Sequence, residues 1–143
     1  MPLAAPNDRL LQIFDEFVRF SLVGVIGFFV DASVLYIVML GFSFDPYSGR
    51  CFSYLIAATT TWYLNRRFTF RRSKSSLPQH QWAKFVLVNA VGGAVNYGVY
   101  AALIAVEVPY ASEPLVAVGA GSLAGLTFNF TASRTLVFAS RRI

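Results

Sequence analysis

Four long apolar stretches constrain this chain more than any other feature of its sequence. They lie at residues 17–42, 49–68, 81–106 and 113–133. A helix needs about 20 mostly apolar residues to cross the hydrocarbon layer of a bilayer, and each stretch is long enough. Inside lipid a helix satisfies its own backbone hydrogen bonds, whereas an open strand does not. The sequence therefore predicts an all-α polytopic membrane protein with four transmembrane helices in one domain, residues 1–143.

The composition favours the same class of protein. Of the 143 residues, 56% are hydrophobic and only 13% are charged, whereas a soluble domain has about 25% charged residues. The net charge of +5 would suggest nucleic acid in a soluble protein. Here the basic residues flank the apolar stretches, so we expect no nucleic-acid partner.

Few residues in the sequence could carry catalysis or hold a metal. There is one cysteine, Cys51, and one histidine, His80. An intramolecular disulfide is therefore impossible, and two such residues are too few for a Cys/His metal site. The sequence contains neither a phosphate-binding glycine loop followed by lysine nor a nucleophile elbow. We expect a protein that is not an enzyme and that uses no cofactor and no metal.

The basic residues predict the orientation in the membrane. Eleven of the twelve flank the apolar stretches on one side: Arg9, Arg19, Arg66, Arg67, Arg71, Arg72, Lys74, Lys84, Arg134, Arg141 and Arg142. Only Arg50 falls on the other side. Cytoplasmic loops carry the excess of lysine and arginine, so both termini and the middle connector are predicted to be cytoplasmic. Residues 1–16 are predicted to form an amphipathic segment at the cytoplasmic interface.

The two halves of the chain resemble each other. FVRFSLVGVIGFFVD in span 1 aligns with WAKFVLVNAVGGAVN in span 3 at an offset of 65 residues, and NRRFTF after span 2 aligns with SRTLVF after span 4 at an offset of 68. The alignment places Gly27 on Gly92 and Arg66 on Arg134. Two spans per copy make the copies parallel, so we predict a duplicated helical hairpin.

Each span has one face of small or polar residues. Residues four apart share a helix face, and the stripes are Gly24, Gly27 and Asp31 in span 1, Ser53, Ala57, Thr61 and Asn65 in span 2, Asn89, Gly92, Gly93, Asn96 and Tyr100 in span 3, and Gly121, Gly125, Asn129 and Ser133 in span 4. Such stripes let helices pack closely in membranes. They could equally line a polar groove for a headgroup.

The most informative single residue is Asp31, near the middle of span 1. A carboxylate at that depth costs about 2.5–3.5 kcal/mol, even on the most lenient insertion scale. It must therefore face the interior, be protonated or pair with another helix. One interpretation is a hydrogen bond to Asn96, Thr61 or Asn129, and the other is a functional contact with a sugar hydroxyl or a proton.

Arginines end the second and fourth spans at equivalent places. Arg66 and Arg134 could complement the negative end of a helix, or they could bind phosphate, whose oxygens match the donor fork of a guanidinium. Arg67, Arg71 and Arg72 are more typical of attraction to anionic lipid. Both interpretations place these arginines at the cytoplasmic boundary.

The chain resembles the GtrA-like family of small four-span membrane proteins. The matching segments are FVRFSLVGVIGFFVD, YLNRRFTF, KFVLVNAVGGAVNY and NFTASRTLVF, so the resemblance runs from about residue 17 to residue 138. It implies translocation of a polyprenyl-phosphate-linked sugar, such as undecaprenyl-phosphate glucose, across the bacterial cytoplasmic membrane for cell-surface polysaccharide synthesis. Membrane lipids, a membrane glycosyltransferase and further copies of the chain are the partners expected.

Under that hypothesis the polar residues divide into two groups. Arg66, Arg134, Arg19 and Lys84 would hold the headgroup phosphate, and Asp31, Asn96, Asn65, Asn129 and Asn89 would line the path of the sugar. Because four helices hardly enclose a bulky headgroup, we expect a homo-oligomer, with the glycine-rich face of span 4, residues 119–125, as its interface.

Two other functions are compatible with the sequence. One is a non-transporting protein that recruits or stabilises a polyprenyl-phosphate glycosyltransferase through the basic middle connector. The other is a proton-coupled small multidrug exporter, a class that also has four spans and one acidic residue in span 1. The strong charge bias argues against the exporter.

Overall fold

Four α-helices, each starting at a proline, make up the described part of the protein. The computed structural model describes residues 6–44, 46–71, 77–106, 109–110 and 114–139. The helices are α1 (Pro6–Phe42), α2 (Pro46–Leu64), α3 (Pro78–Val106) and α4 (Pro114–Ala132). Proline suits the first helical turn, because its missing N–H would have no partner there. Two π-helical turns, π1 (Asn65–Thr69) and π2 (Ser133–Val137), continue α2 and α4.

Helices α1 and α3 are longer than the predicted first and third spans. Helix α1 begins at Pro6, so residues 6–16 are helical and continuous with span 1. Their place at the cytoplasmic interface stays a prediction, and residues 1–5 lie outside the described part. Helix α3 begins at Pro78 rather than at residue 81, because the proline starts the helix. The predicted second and fourth spans correspond to α2 with π1 and to α4 with π2.

The chain divides into two compact units, Met1–Ser75 and Ser76–Ile143. In the first, α1 packs against α2 and π1, and in the second α3 packs against α4 and π2. Each unit is thus a helical hairpin ending in a π turn. The two π turns are 68 residues apart in sequence, which is the offset that the duplication predicts for this part of the chain.

Equivalent aromatic pairs close both hairpins. The rings of Phe20 and Phe70 are 6.2 Å apart in the first unit, and those of Phe85 and Phe138 are 6.0 Å apart in the second. All four side chains are buried. Offset aromatic contacts at this distance add stability beyond the apolar area they bury. Because the pairs are related by the offsets of the alignment, the two units also repeat each other in packing.

Part of each glycine stripe lies where the helices of its hairpin come closest, whereas Gly24 and Gly93 have open space beside them within the described part of the chain. A Cβ atom at Gly27 would overlap the side chain of Thr61, and a Cβ atom at Gly92 would overlap that of Asn129. These two contacts are equivalent under the duplication. The glycines therefore make room for polar side chains of the facing helix, as the packing interpretation requires.

Several serine and threonine hydroxyl groups in the helices bond to their own backbone. Thr61 donates to the carbonyl of Ala57 at 3.0 Å, and Thr127 donates to that of Leu123 at 2.8 Å. The same four-residue pattern occurs at Ser21, Thr59, Thr60 and Thr135. Such bonds satisfy a hydroxyl without a partner on another helix. These groups are therefore compatible with an apolar surrounding.

A side chain from the first helix of each hairpin reaches the π turn of that hairpin. Arg19 donates to the carbonyl of Phe68 at 3.3 Å, and Gln81 donates to that of Val137 at 3.4 Å. The last carbonyls of a helix lack partners within the helix, so these two donors stabilise the π turns. Gln81 is among the most buried residues, at 1% exposure.

Replacing Gln81 with leucine is expected to lower the free energy of unfolding by about 1–3 kcal/mol, because the carbonyl of Val137 would lose a partner in a buried position. The matched control is Gln79→Leu, two residues away on an exposed position, where the change should be within about 0.5 kcal/mol. Thermal unfolding of both variants in mild detergent, followed by circular dichroism, measures the difference. Equal melting curves would contradict the role assigned to Gln81.

The outer surface of both units is strongly apolar. Leu11, Phe14, Leu22, Phe28 and Leu87 each expose 60% or more of their surface. Helices α1 and α3 are long and apolar enough to cross a membrane, and only 17% and 6% of their most apolar segments are buried. The core helix of a soluble protein would bury most of such a segment. Apolar surface on this scale is expected where lipid is the solvent.

Candidate functional site

Three arginines line an open pocket where α2 ends. The pocket has a volume of about 430 Å³ and is lined by Tyr63, Arg66, Arg67, Phe68 and Arg71. Among the described residues that line the pocket there is no aspartate or glutamate. The pocket is therefore positively charged, with two aromatic rings in its wall.

The π turn shapes this pocket. A π turn has one extra residue per hydrogen-bonded ring and often marks a functional position. Its first residue, Asn65, is 1% exposed and accepts a hydrogen bond from Thr69 at 2.9 Å, so the buried side of the turn is held rigidly. The exposed residues Arg67 and Phe68 are consequently presented to the outside.

An aromatic ring of the same helix faces the guanidinium of Arg66. Its Cζ lies 5.8 Å from the centre of the Trp62 ring, a distance at which the ring face attracts a cation. The indole N–H of Trp62 is buried and has no hydrogen-bond partner within the described residues. Arg66 is thus oriented by its own helix, one turn after Trp62.

A second charged cluster lies toward the start of α2. Asp31 of α1 pairs with Arg50 and accepts a hydrogen bond of 2.7 Å from the buried hydroxyl of Ser53. The Asp31 side chain is 15% exposed, whereas that of Arg50 is 58% exposed. The carboxylate is therefore held inside the hairpin, while its cationic partner reaches in from a more open position.

The partners of Asp31 correct the expectation drawn from the sequence. Thr61, one of the proposed partners, directs its methyl group toward Gly27 and its hydroxyl toward the backbone of α2. The cation is Arg50, nineteen residues away in sequence. Arg50 is the one basic residue predicted to lie on the opposite side of the membrane from the other eleven. It is therefore paired with the acidic residue near the middle of span 1, Asp31.

The two clusters lie at different levels of the first unit. Arg50 and Arg66 are 16 residues apart, which corresponds to about 24 Å along a helix. The hydrocarbon core of a bilayer is about 30 Å thick. The arginine pocket and the Asp31 cluster are thus separated by a length comparable to that core.

The remaining predicted site residues of the first unit serve its internal contacts. Arg19 forms an ion pair with Asp15 at 2.9 Å in addition to its bond to Phe68. Asn65 is enclosed by the hairpin and bonded to Thr69. Contact of either residue with a headgroup remains a prediction, and for Asn65 it would require the hairpin to open.

The predicted site residues of the second unit are divided between the interior and the surface. Asn89 donates to the carbonyl of Phe85 at 2.9 Å in its own helix. Asn96 lies against Gly121 and Gly125, and the side-chain oxygen of Asn129 is buried with no hydrogen-bond partner within the described part. Lys84 is exposed and Arg134 is partly exposed.

Sequence reasoning missed Arg50, Tyr63 and Phe68 as site residues. The sequence did contain a signal for Arg50. It is the only lysine or arginine near the connector that joins the two helices of the hairpin containing Asp31. No sequence pattern distinguishes Tyr63 and Phe68 from the other aromatic residues, and only the pocket shows that they share a wall with three arginines.

Two helical hairpins with apolar exteriors and charged ends define an integral membrane protein. A family model described as the GtrA/DPMS transmembrane domain matches residues 19–138, and the chain belongs to this family. The resemblance seen in the sequence is thereby confirmed. Members of the family are generally non-catalytic membrane proteins, and the domain indicates involvement in the handling of polyprenyl-phosphate sugars. None of the curated proteins searched matches the chain.

Proposed function

We propose that this protein moves a polyprenyl-phosphate-linked sugar, such as undecaprenyl-phosphate glucose, from the cytoplasmic to the outer leaflet of a bacterial inner membrane. The observation that carries the proposal is the pair of charged clusters at two levels of the first hairpin. Arg66 in the pocket lies at one level and Asp31 with Arg50 at the other. The headgroup would find polar partners at both levels while its prenyl tail stays in lipid.

The proposed orientation has four spans and both termini in the cytoplasm. Charge supports it, because eleven basic residues flank the helices on the inner side and Arg50, on the outer side, is paired with Asp31. A phosphodiester is an anion, so outward movement gains about 2.3 kcal/mol per charge for each 100 mV of inside-negative potential. Consumption of the sugar outside would maintain the flux.

In the proposed route, the cations act first and the amides later. Arg66 and Arg134, with Arg19 and Lys84, attract and hold the phosphate at the inner side. Asp31, Asn96, Asn129, Asn65 and Asn89 replace water around the sugar during the crossing. The ion pair between Asp31 and Arg50 also favours this proposal over a proton-coupled multidrug exporter. Such an exporter needs the carboxylate of its span 1 to be available for binding and releasing protons.

Leaflet exchange of a labelled undecaprenyl-phosphate glucose in liposomes tests the proposal. Liposomes with the protein are expected to exchange the lipid faster than empty ones, and Arg66→Gln should slow the protein-dependent exchange by about tenfold through loss of one charge-assisted contact. Arg9→Gln, which removes an exposed arginine outside the pocket, serves as the matched control and should leave the rate unchanged.

Exchange no faster than in empty liposomes would contradict transport. If a glycosyltransferase were at the same time lost from membranes that lack the protein, the function would be recruitment of that glycosyltransferase and not transport. Equal slowing by Arg9→Gln and Arg66→Gln would show that net charge matters and the pocket does not.

The protein is proposed to act as a homo-oligomer, but not through the glycine face first suggested. Gly121 and Gly125 lie against Asn96 and Gly92 of the same hairpin, whereas Gly119 has open space beside it within the described part of the chain. The exposed apolar faces of α1 and α3 are the alternative contact surfaces. Mass measurement in mild detergent and in lipid tests the assembly, and a monomer in both would contradict it.

A further inference from the structure

The two hairpins differ in charge at the ends of their π turns. Arg66 of the first unit has an equivalent arginine in the second, Arg134. Arg67 and Arg71, which complete the pocket, correspond to Thr135 and Ala139. The duplication thus retains one arginine of the pocket in both units, whereas the full set of three occurs only in the first.

Three arginines that line one pocket favour an anionic ligand. The described lining of the pocket contains three basic and no acidic side chains. The carbonyls at the end of α2 carry only about half an elementary negative charge, so they offset a small part of the positive charge. A phosphate placed among the three side chains would accept several charge-assisted hydrogen bonds.

The size and walls of the pocket indicate more than a bare phosphate. Its volume of about 430 Å³ falls in the range of about 300–1,000 Å³ that is usual for small-molecule sites. Tyr63 and Phe68 add aromatic faces to the wall, and both are exposed. Such rings offer an apolar face and, in tyrosine, a hydroxyl for a sugar or for the first isoprene units.

We infer that Arg66, Arg67 and Arg71, together with Tyr63 and Phe68, form a binding site for the phosphate headgroup of a polyprenyl carrier lipid. In the described part of the second hairpin, Thr135 and Ala139 stand at the positions equivalent to Arg67 and Arg71. The inference rests on the proposed function and deepens it. It reassigns Arg67 and Arg71 from general attraction to anionic lipid to a defined site. The two hairpins therefore contribute differently, since only the first has arginines at all three of these positions.

Binding to the purified full chain in detergent, measured by native mass spectrometry, tests the site. The probe is undecaprenyl-phosphate glucose, with phosphatidylglycerol and inorganic phosphate as competitors. The variant Arg67→Thr/Arg71→Ala introduces the residues that the second unit has at these positions, so the substitutions suit the local fold. Its dissociation constant for the probe is expected to rise at least about tenfold.

The matched control is Arg9→Ser, which also lowers the net charge but lies outside the pocket; it is expected to change the dissociation constant less than about twofold. Three results would each overturn the inference. They are an equal weakening of probe binding in the control variant, unchanged probe binding in the double variant, and displacement of the probe by phosphatidylglycerol at equal concentration. Inorganic phosphate is expected to compete only weakly, because it lacks groups for the aromatic wall.

The outcome is separable from that of the leaflet-exchange experiment. Pocket-dependent binding without accelerated exchange would leave the site standing and remove the transport function. Accelerated exchange that the double variant retains, with unchanged binding, would leave transport standing and remove the site.

Discussion

Gly121→Leu is expected to destabilise the second hairpin by about 3 kcal/mol or more, at the upper end of the cost of overpacking. A Cβ atom at this position would lie 2.5 Å from the backbone oxygen of Asn96. A backbone atom in a helix cannot rotate away as a side chain can, so α3 and α4 would have to separate. The gain in helix propensity, about 1 kcal/mol for replacing a glycine, is too small to compensate.

Gly119→Leu is the matched control for this prediction. Gly119 lies on the same helix, two residues earlier, and no atom of the described residues lies within 4 Å of the position that its Cβ would take. The variant should be as stable as the parent or more stable by up to about 1 kcal/mol. Thermal unfolding in detergent, followed by tryptophan fluorescence and circular dichroism, compares the two.

The comparison also distinguishes glycines that pack within one hairpin from glycines that form contacts between chains. If Gly119→Leu destabilised the protein or dissociated an oligomer while Gly121→Leu did not, these glycines would serve contacts between chains rather than within one hairpin. The packing of α3 against α4 described above would then be wrong.

The second large effect is expected for Arg50→Val. The substitution leaves the Asp31 carboxylate, which is only 15% exposed, without its cation. Removing one partner of a fully buried pair costs about 3–5 kcal/mol. Because the Arg50 side chain is 58% exposed, water can replace part of its contribution, and we expect a loss of about 2–3 kcal/mol in the free energy of unfolding.

The residues of the second hairpin indicate which second substitution should compensate for this variant. At the equivalent positions it has Asn96 and Val118, a neutral pair that needs no counter-charge. Asp31→Asn combined with Arg50→Val should therefore recover most of the lost stability, since no charge is left unpaired. A double variant as unstable as Arg50→Val alone, in thermal unfolding, would contradict an ion pair as the cause.

Much of the fold follows from local signals in the sequence. The apolar stretches predicted the helices, and Pro78 and Pro114 stand where α3 and α4 begin. The offsets of 65 and 68 residues predicted that both hairpins would repeat the same contacts, as the pairs Phe20–Phe70 and Phe85–Phe138 do. These features could be predicted because apolar length and helix starts depend on neighbouring residues.

The candidate site was predicted less completely. Arg66 was identified from its place after a span, and it lines the pocket. Its neighbours Arg67 and Arg71 were interpreted as general lipid contacts, because charge in a sequence does not show whether side chains converge. The π turn that presents them has no signature in the residue pattern.

The sequence by itself determined the class of protein, the duplication and the residue types available for binding a sugar phosphate. Only the tertiary structure decided which of those residues face each other: Arg50 with Asp31, Gly121 with Asn96, and three arginines around one pocket. The physical reason is that helix formation depends on residues within a few positions, whereas pairing across a hairpin depends on the rotation and depth of two helices.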